Sequence, residues 1–200
     1  GAKMINPRAE VYLEWSSVKD QDVYEKISRI HADCISGKDM VIPEESSRYF
    51  GIYCLEDGMP RSLAMPIWHW GKFYERLIRT VLDKTWKYDE KTSDNKAINY
   101  WWGMSSDVVD VVCSQNLPIG TRRLVGLLKD TISRGEFNPF SGILYSQTGI
   151  VQGDPGVSLA PEQIVKMDWL AENVIGSIPK GSELEKGARS AVAQQGVNRE

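Results

Sequence analysis

The spacing of apolar residues divides the first third of the chain into short elements. In "AEVYLEW" (9–15) apolar and more polar residues alternate, which indicates a strand. In "DQDVYEKISRIH" (20–31) the apolar residues recur at helical spacing, and Asp20 or Asp22 is placed to cap the helix. Further strands are predicted at 32–37, 50–56 and 62–67, and a further helix at 42–49. This order of strands and helices predicts an α/β fold with a parallel sheet flanked by helices.

After residue 70 the pattern predicts longer helices. Apolar residues from Phe73 to Leu82 form one face of a helix that runs from Gly71 to about Trp86. The remaining predictions are helices at 120–135 and 158–176, strands at 97–104 and 107–114, and a hairpin of "GILYS" with "GIVQ". The tail, 180–200, has few large apolar side chains and is expected to be loosely held.

Composition and charge narrow the classes of partner. The 200 residues are 42% hydrophobic and 26% charged, which is enough apolar material for a real core. The net charge of −3 and the pI of about 5.6 give no basis for a nucleic-acid partner. The longest apolar runs are far shorter than the ~20 residues that a transmembrane helix needs.

No motif for covalent or metal chemistry is present. Cys34, Cys54 and Cys113 have no CxxC spacing, and the two histidines, His31 and His69, lie far apart in the sequence. We therefore expect thiols that behave as small apolar groups, with no metal site. GxSxG, HExxH and P-loop sequences are also missing from the chain. The sequence predicts no catalytic residue and no cofactor.

Two acidic segments follow predicted strands. "ISGKDM" (35–40) leaves the carboxyl end of a strand, which is where open parallel sheets place ligand-binding groups. Asp39 is positioned there to accept hydrogen bonds from a sugar hydroxyl or a base N–H; the alternative is a loop that caps the next helix. "LEDG" (55–58) ends the next strand in the same way, so Glu56 and Asp57 are candidates too, with a tight turn as the alternative.

The aromatic segment "PIWHWGKFYE" (66–75) is the other candidate. Trp68 and Trp70 point to the same side if the segment is extended, and diverge by about 200° if the helix begins before them. The sequence is compatible with two roles for these tryptophans, a surface on which a ligand stacks or a position in the core. His69 is either a ligand contact or a hydrogen-bonded structural residue. Trp102 is a further candidate, although one member of the pair formed with Trp101 is expected in the core.

Several long motifs occur in a recognisable order. They are "GAKMINPRAEVYLEW", "AMPIWHWGKFYERLIRTVLDKTW", "NYWWGM", "ISRGEFNPFSG" and "MDWLAENVIGSIP". Together they resemble the C-terminal two-thirds of the basic membrane lipoprotein (BMP) family, the substrate-binding proteins of ABC importers related to purine-nucleoside receptor lipoproteins. The resemblance extends almost continuously from Gly1 to Pro179. It implies two α/β lobes of the type I periplasmic-binding-protein kind, joined by three crossovers, that close on a ligand.

The resemblance also implies how the chain is organised. The chain is expected to hold the C-terminal lobe and the crossover segments of such a protein, as a fragment or a natural truncation with the N-terminal lobe largely missing. The expected parts are 1–8 as the end of the N-lobe, 9–62 as the C-lobe core, 63–96 as a crossover and a helix that packs on the N-lobe, 97–179 as the return to the C-lobe with a C-terminal helix, and 180–200 as a flexible tail. An apolar face where the missing lobe belongs is expected to favour a homodimer.

Site residues follow by the same resemblance. Ser36, Gly37 and Asp39 match the segment that holds purine or ribose groups in the family. Trp68 matches a position at which relatives place a ribose-binding lysine or an aromatic residue. His69 replaces the asparagine of a common "WNWG" sequence and retains hydrogen-bonding capacity.

The implied function is that of a non-catalytic, solute-binding component of an ABC importer. Its ligand would be a nucleoside, a purine or a related small polar ring compound held in a cleft between lobes. The expected partners are this ligand and an ABC permease, and the full-length protein is expected to be periplasmic or extracellular, anchored to the membrane as a lipoprotein.

Two other hypotheses stay open at this point. The same fold is used in ligand-sensing regulatory modules, which the neighbouring genes would distinguish from an importer component. A carbohydrate-active enzyme with tryptophan platforms would need two carboxylates ~5–10 Å apart across a cleft.

Overall fold

The computed structural model describes residues 1–37, 50–85 and 102–194. The helices are α1 (Ala2–Ile5), α2 (Val23–Arg29), α3 (Trp70–Leu82), α4 (Ile119–Ser133), α5 (Pro161–Val165) and α6 (Lys186–Gln194), with 3₁₀ turns at Met104–Ser106 and Gly181–Glu183. The strands are β1 (Val11–Tyr12), β2 (Ile35–Ser36), β3 (Ile52–Glu56), β4 (Met59–Trp68), β5 (Val109–Cys113), β6 (Leu144–Ser146), β7 (Gly149–Gln152) and β8 (Val174–Ile175). The chain therefore mixes helices and sheets, as an α/β fold does.

Two compact units divide these elements. The first unit contains described residues of 1–30 and 138–194, and the second contains those of 31–85 and 102–137. The predicted helix at 42–49 and most of the predicted strand at 97–104 lie outside the described residues; the described end of that strand prediction begins a 3₁₀ turn at Met104. The expected division into an N-lobe end, a C-lobe core and crossovers stays a prediction.

The second unit is built on a four-stranded antiparallel sheet in the order β2-β3-β4-β5. The prediction of a parallel sheet is wrong for this sheet. The reason lies in the connection between β3 and β4, where only Asp57 and Gly58 separate Glu56 from its partner Met59. A parallel pair needs a crossover of a dozen or more residues, whereas a two-residue loop can only reverse the chain.

The turn itself matches its sequence. Asp57 and Gly58 have φ angles of 52° and 76°, the left-handed values at both central positions of a type I′ hairpin turn. Asp-Gly suits this turn because glycine has no Cβ and aspartate tolerates the left-handed region. The predicted turn at "LEDG" is confirmed, and this turn sets the antiparallel register.

A bulge lies at the other end of the β3–β4 pair. The register shifts between Ile52 and Tyr53, and the preceding Gly51 has a φ of 66°. A Cβ at Gly51 would overlap the carbonyl oxygen of Ala64 and lie 2.8 Å from Cα of Met65. Only glycine therefore allows β3 and β4 to approach each other this closely.

Helices α3 and α4 of the second unit lie where the apolar spacing predicts them, but α3 ends four residues before the predicted end at about Trp86. The amphipathic helix expected from Gly71 is α3, which begins one residue earlier and ends at Leu82. The helix expected at 120–135 is α4, followed by Gly135 at a φ of 71°, the usual stop signal after a helix.

The first unit joins the beginning of the chain to a much later segment. Strands β1 and β8 pair in parallel, with Val11 opposite Val174. The Asn173 side chain donates to the carbonyl oxygen of Ala9 at 3.0 Å, and the Trp15 indole N–H donates to that of Ser177 at 2.8 Å. In the same unit, Asp22 caps α2 by accepting from the Glu25 N–H, and β6 and β7 form the predicted antiparallel hairpin.

The helix predicted at 158–176 is wrong after Val165, where α5 ends. The following residues bond to distant strands instead of continuing the helix. The Gln147 N–H donates to the Leu170 carbonyl, the Glu172 N–H donates to the Tyr145 carbonyl, and Val174 enters the pair with β1. Long-range ladder bonds have here replaced local helical ones, although the apolar spacing fitted a helix.

The beginning of the tail, 180–200, is hydrogen-bonded to the first part of the chain. Glu185 donates its N–H to the carbonyl oxygen of Ser17, and α6 follows directly within the segment expected to be loosely held.

Few apolar side chains are buried in the part of the chain that the structure describes. They are Phe50, Tyr53 and Val108 in the second unit and Leu184 in the first. Many large apolar side chains keep about half of their surface exposed, among them Tyr74, Ile78 and Val81 on one face of α3. In these described ranges no helix combines the length and the apolar character needed to cross a bilayer.

We expect the substitution Gly51→Ala to lower the free energy of unfolding by about 2 kcal/mol or more, because a left-handed φ and a backbone overlap both act against the new Cβ. Gly58→Ala is the matched control: its φ of 76° carries the same conformational cost, but no atom lies within 4 Å of the added Cβ. Urea unfolding of both variants measures the difference. Equal losses would show that the close approach of β3 and β4 contributes nothing.

Candidate functional site: an exposed aromatic cluster

The junction between β4 and α3 brings two indole rings together. Trp68 is the last residue of β4, and α3 begins at Trp70, with His69 between them as the N-cap. The two rings are stacked, with centroids 6.0 Å apart and planes inclined by 22°. Of the two predicted arrangements, the structure has the one in which both rings line one surface.

Three further rings extend this surface into what we call the aromatic cluster, formed by Trp68, Trp70, Phe73, Tyr74 and Trp102. Phe73 makes edge-to-face contacts with Trp70 at 5.9 Å, with Tyr74 at 5.5 Å and with Trp102 at 5.6 Å between centroids. The rings on α3 are spaced i, i+3, i+4 and therefore share one face of the helix. Such edge-to-face contacts add to the energy of area burial and hold the rings in fixed orientations.

The cluster is accessible to a ligand. Trp68 is 41% exposed, Trp70 is 47% exposed and Tyr74 is 56% exposed. A third ring inserted between two parallel rings would need roughly twice the van der Waals contact distance, about 7 Å or more. The observed 6.0 Å between Trp68 and Trp70 is too short for that. A planar ligand can therefore stack only on the outer faces of the cluster.

His69 is fixed by the backbone of the residues before β5. Its N–H donates to the carbonyl oxygen of Val108 at 2.8 Å, and its Nδ1 lies 3.0 Å from the carbonyl oxygen of Asp107. A carbonyl only accepts, so Nδ1 carries the proton in this contact. Because it follows Trp68 in extended backbone, the His69 side chain is directed to the opposite face of the sheet. The structure therefore separates His69 from the surface that Trp68 forms.

An electrostatic network occupies that opposite face. The Lys129 ammonium on α4 lies 2.5 Å from the Asp110 carboxylate and 2.9 Å from the carbonyl oxygen of Val111. Burial alone would raise the pKa of Asp110. The hydrogen bond from Lys129 and the Val111 N–H, together with the charges of Lys129 and the nearby His69, outweigh burial and lower that pKa. The network fastens α4 to β5 behind the aromatic cluster.

The described candidates in "ISGKDM" lie away from the rings. Ser36 pairs with Ile52, and Ile52 with Ala64, so the Ser36 and Trp68 side chains share one face of the sheet. They are nevertheless ~13 Å apart along β4 and ~10 Å apart across two strands. The Gly37 N–H donates a hydrogen bond to the carbonyl oxygen of Gly51 and so is not available to a ligand. Asp39 lies outside the described residues.

The acidic turn is remote from the rings. Glu56 accepts two hydrogen bonds from the Arg61 guanidinium at 2.7 and 2.8 Å, and Asp57 forms the hairpin turn. The whole length of β4 separates this turn from Trp68, about 30 Å at strand rise. The structure thus places Glu56 and Asp57 as turn and pairing residues at the far end of the hairpin.

Sequence reasoning did not single out a small cavity in the first unit. About 150 Å³ opens at the carboxyl ends of β1 and β8, lined among others by Glu14, Trp15, Lys26 and Ser177. Lys26 pairs with Glu14 at 3.0 Å, so the two charges satisfy each other. Ligand pockets for drug-sized molecules enclose ≈ 300–1,000 Å³, so this cavity is small for a nucleoside. In the sequence, the feature that indicates this cavity is the end of the predicted strand 9–15, where Glu14 and Trp15 follow each other.

Metal chemistry has no visible site in the described ranges. Among residues 1–37, 50–85 and 102–194, no three His, Cys, Asp or Glu side chains come together as a metal site would require.

Comparison with known proteins adds one finding. No protein-family model matches the chain. A purine-binding protein from Brucella abortus (strain 2308) is 28% identical over 111 residues, which make up 56% of this chain and 29% of that protein. The chain therefore spans less than a third of that relative's length, and it is similar to a part of a purine-binding protein.

Asp110→Asn is expected to reduce the acid sensitivity of the protein. Because the folded pKa of Asp110 is lowered, its stabilisation is complete above the ordinary value of 3.8 and is lost as the pH falls through the lower folded value. Unfolding free energies at a series of pH values should thus fall less steeply below about pH 4 in the variant. Asp130→Asn on α4, at the position next to Lys129 in the chain, is the charge-matched control. Identical slopes for wild type and Asp110→Asn would contradict the role assigned to Lys129.

His69→Leu is expected to lower the free energy of unfolding by about 1 kcal/mol, because it removes the hydrogen bond to the Asp107 carbonyl. Chemical denaturation measures the loss. His69→Asn can restore a short side-chain donor and should recover part of the stability. A His69→Leu variant as stable as the wild type would show that this bond does not fix the junction.

Proposed function

We propose that the chain is part of a protein that binds a purine base or a nucleoside, and that the aromatic cluster is the surface on which the ring stacks. The observation that carries the proposal is the exposed, stacked pair Trp68 and Trp70. Every purine has a flat π face, and stacking on an aromatic side chain contributes about 1–3 kcal/mol per base. The name of the Brucella abortus relative, a purine-binding protein, points to the same ligand class.

The geometry of the cluster suits such a ligand. The edge-to-face contacts of Phe73 hold Trp70 and Trp102 in place before a ligand arrives, so little side-chain entropy is lost on stacking. The outer faces of the indoles supply apolar area, and the polar edge of the ligand remains available to groups outside the cluster. Binding without covalent chemistry is the role that this arrangement supports.

The exposed face of α3 supports a second part of the proposal. Trp70, Tyr74, Ile78, Val81 and Leu82 follow one another along this face, and each is 47–73% exposed. Apolar stripes of this kind commonly pack against another surface. We propose that in the full-length protein another lobe covers this face and completes a cleft around the ligand, in keeping with the resemblance to two-lobed binding proteins.

The wider role follows from the same resemblance. The full-length protein would be a solute-binding lipoprotein on the periplasmic or extracellular side of the membrane, and it would deliver the purine or nucleoside to an ABC permease. Deletion of the gene should then reduce uptake of a radiolabelled nucleoside, which distinguishes an importer component from a regulatory binding module.

Trp68→Ala is expected to weaken binding of adenosine about 5- to 150-fold, which corresponds to the loss of one stacking contact. Isothermal titration with adenosine, adenine and guanosine measures the affinity, both for this chain and for the full-length protein. Trp68→Phe keeps a ring and should lose less than Trp68→Ala.

A control variant separates stacking from folding. Trp169→Phe changes a half-buried indole in the first unit and should leave the affinity within about twofold of the wild type. If Trp68→Ala binds as tightly as the wild type, or if the full-length protein binds none of the three compounds, the proposed site is wrong.

A further inference from the structure

Two of the three cysteines face each other across neighbouring strands. Strands β2 and β3 are antiparallel, with Ile35 opposite Tyr53 and Ser36 opposite Ile52. One step further along the same register places Cys34 opposite Cys54. Both residues carry free thiols in this structure, and Cys34 is exposed.

The hydrogen-bond pattern identifies the kind of pair. The Gly37 N–H donates to the Gly51 carbonyl at 2.7 Å, so this pair is hydrogen-bonded. Hydrogen-bonded and non-hydrogen-bonded pairs alternate along an antiparallel ladder, which makes Cys34 and Cys54 a non-hydrogen-bonded pair. Such pairs have Cα atoms ≈ 4.5 Å apart and side chains on the same face, within the 4.4–6.8 Å range of disulfides. A bond between the two sulfurs therefore requires little backbone movement.

The electrostatics of Cys34 agree with this geometry. Burial raises the pKa of the Cys34 thiol, and the neighbouring Cys54 thiol and Asp33 carboxylate raise it further.

Cys113 does not share this arrangement. It lies on β5 opposite Ala64, whereas Cys54 lies opposite Arg61 on the other side of β4. Cys54 and Cys113 are thus ~10 Å apart across the sheet and a similar distance along it. This separation is too large for a disulfide, so Cys113 provides an internal reference thiol.

We propose that Cys34 and Cys54 are a site of oxidative modification, at which a low-molecular-weight disulfide such as oxidised glutathione closes an intramolecular disulfide between β2 and β3. One protein thiolate attacks a sulfur of oxidised glutathione, forms a mixed disulfide and releases one glutathione thiolate. The second protein thiolate then attacks the protein sulfur of the mixed disulfide and releases the second glutathione. The two cysteines are oxidised, and oxidised glutathione is reduced to two thiols.

The bond would act on the weakest part of the sheet. Strand β2 has two residues, lies at the edge of the sheet and pairs only with β3 among the described strands. Short edge strands open readily because few ladder bonds hold them. A covalent link at Cys34 would hold β2, and with it Ser36 and Gly37, against β3.

Thiol counting on the folded full chain tests the proposal. After exposure to oxidised glutathione, the protein should be lighter than the reduced protein by about 2 Da, the mass of the two hydrogens lost in one disulfide. Subsequent alkylation should then modify one of the three cysteines and leave two protected. Trypsin separates the three cysteines into the peptides 30–38, 49–61 and 97–122. The first two should be recovered as one linked species, and the third as an alkylated thiol.

Three variants make the result specific. Cys113→Ser should still lose both of its thiols, whereas Cys34→Ser and Cys54→Ser should retain glutathione as a mixed disulfide because no second thiol is in reach to displace it. Recovery of both peptides 30–38 and 49–61 in alkylated form from the folded wild type would overturn the proposal. A link from 97–122 to either of the other peptides would overturn it as well.

Discussion

The backbone hydrogen bonds of β4 are the interaction on which the second unit depends. This ten-residue strand pairs with β3 over its first half and with β5 over its second half, and it continues almost directly into α3. Because both neighbours are antiparallel, the ladder fixes which side chains share a face. A register slip of one residue would move Trp68 to the face now occupied by His69, and the stacked indoles would separate.

The rings of the aromatic cluster remain partly exposed to solvent, so they gain less stability from burial than core rings would. Tryptophan and tyrosine rings normally contribute to stability by leaving water, yet here the rings shield one another only in part. About 100 Å² of ring surface covered by a ligand would recover about 2.5 kcal/mol of hydrophobic free energy. The edge-to-face contacts of Phe73 keep that surface in one orientation, so the rings present a flat apolar area without rearrangement.

Different interactions hold one face of the sheet and its β2 edge in place. Behind the cluster, the ion pair of Lys129 with Asp110 and the hydrogen bond of His69 to the Asp107 carbonyl tie α4 and the strand ends together. At the far edge, β2 is held by a few ladder bonds and by its contact with β3. The facing thiols lie at this weakest edge, where a covalent bond would change local stability most.

The sequence predicted local features well, because their causes are local. The cap of α2 at Asp22, the stop of α4 before Gly135, the turn at Asp57 and Gly58 and the amphipathic face of α3 each depend on residues within a few positions of one another. The spacing of Trp68 and Trp70 likewise limited their arrangement to two alternatives.

The tertiary structure decided those features that depend on contacts between segments far apart in the sequence. Whether Trp68 and Trp70 share a surface depended on β5 extending the pairing of β4 to Trp68. The end of α5 at Val165 depended on the bonds of 170–175 to β1 and β6. The antiparallel order was implied by Asp57–Gly58, but its consequence, the separation of Glu56 from Trp68 by the length of β4, became visible only when the strands were paired. Local chemistry selects turns and helix ends, whereas the ladder between remote segments decides which side chains meet.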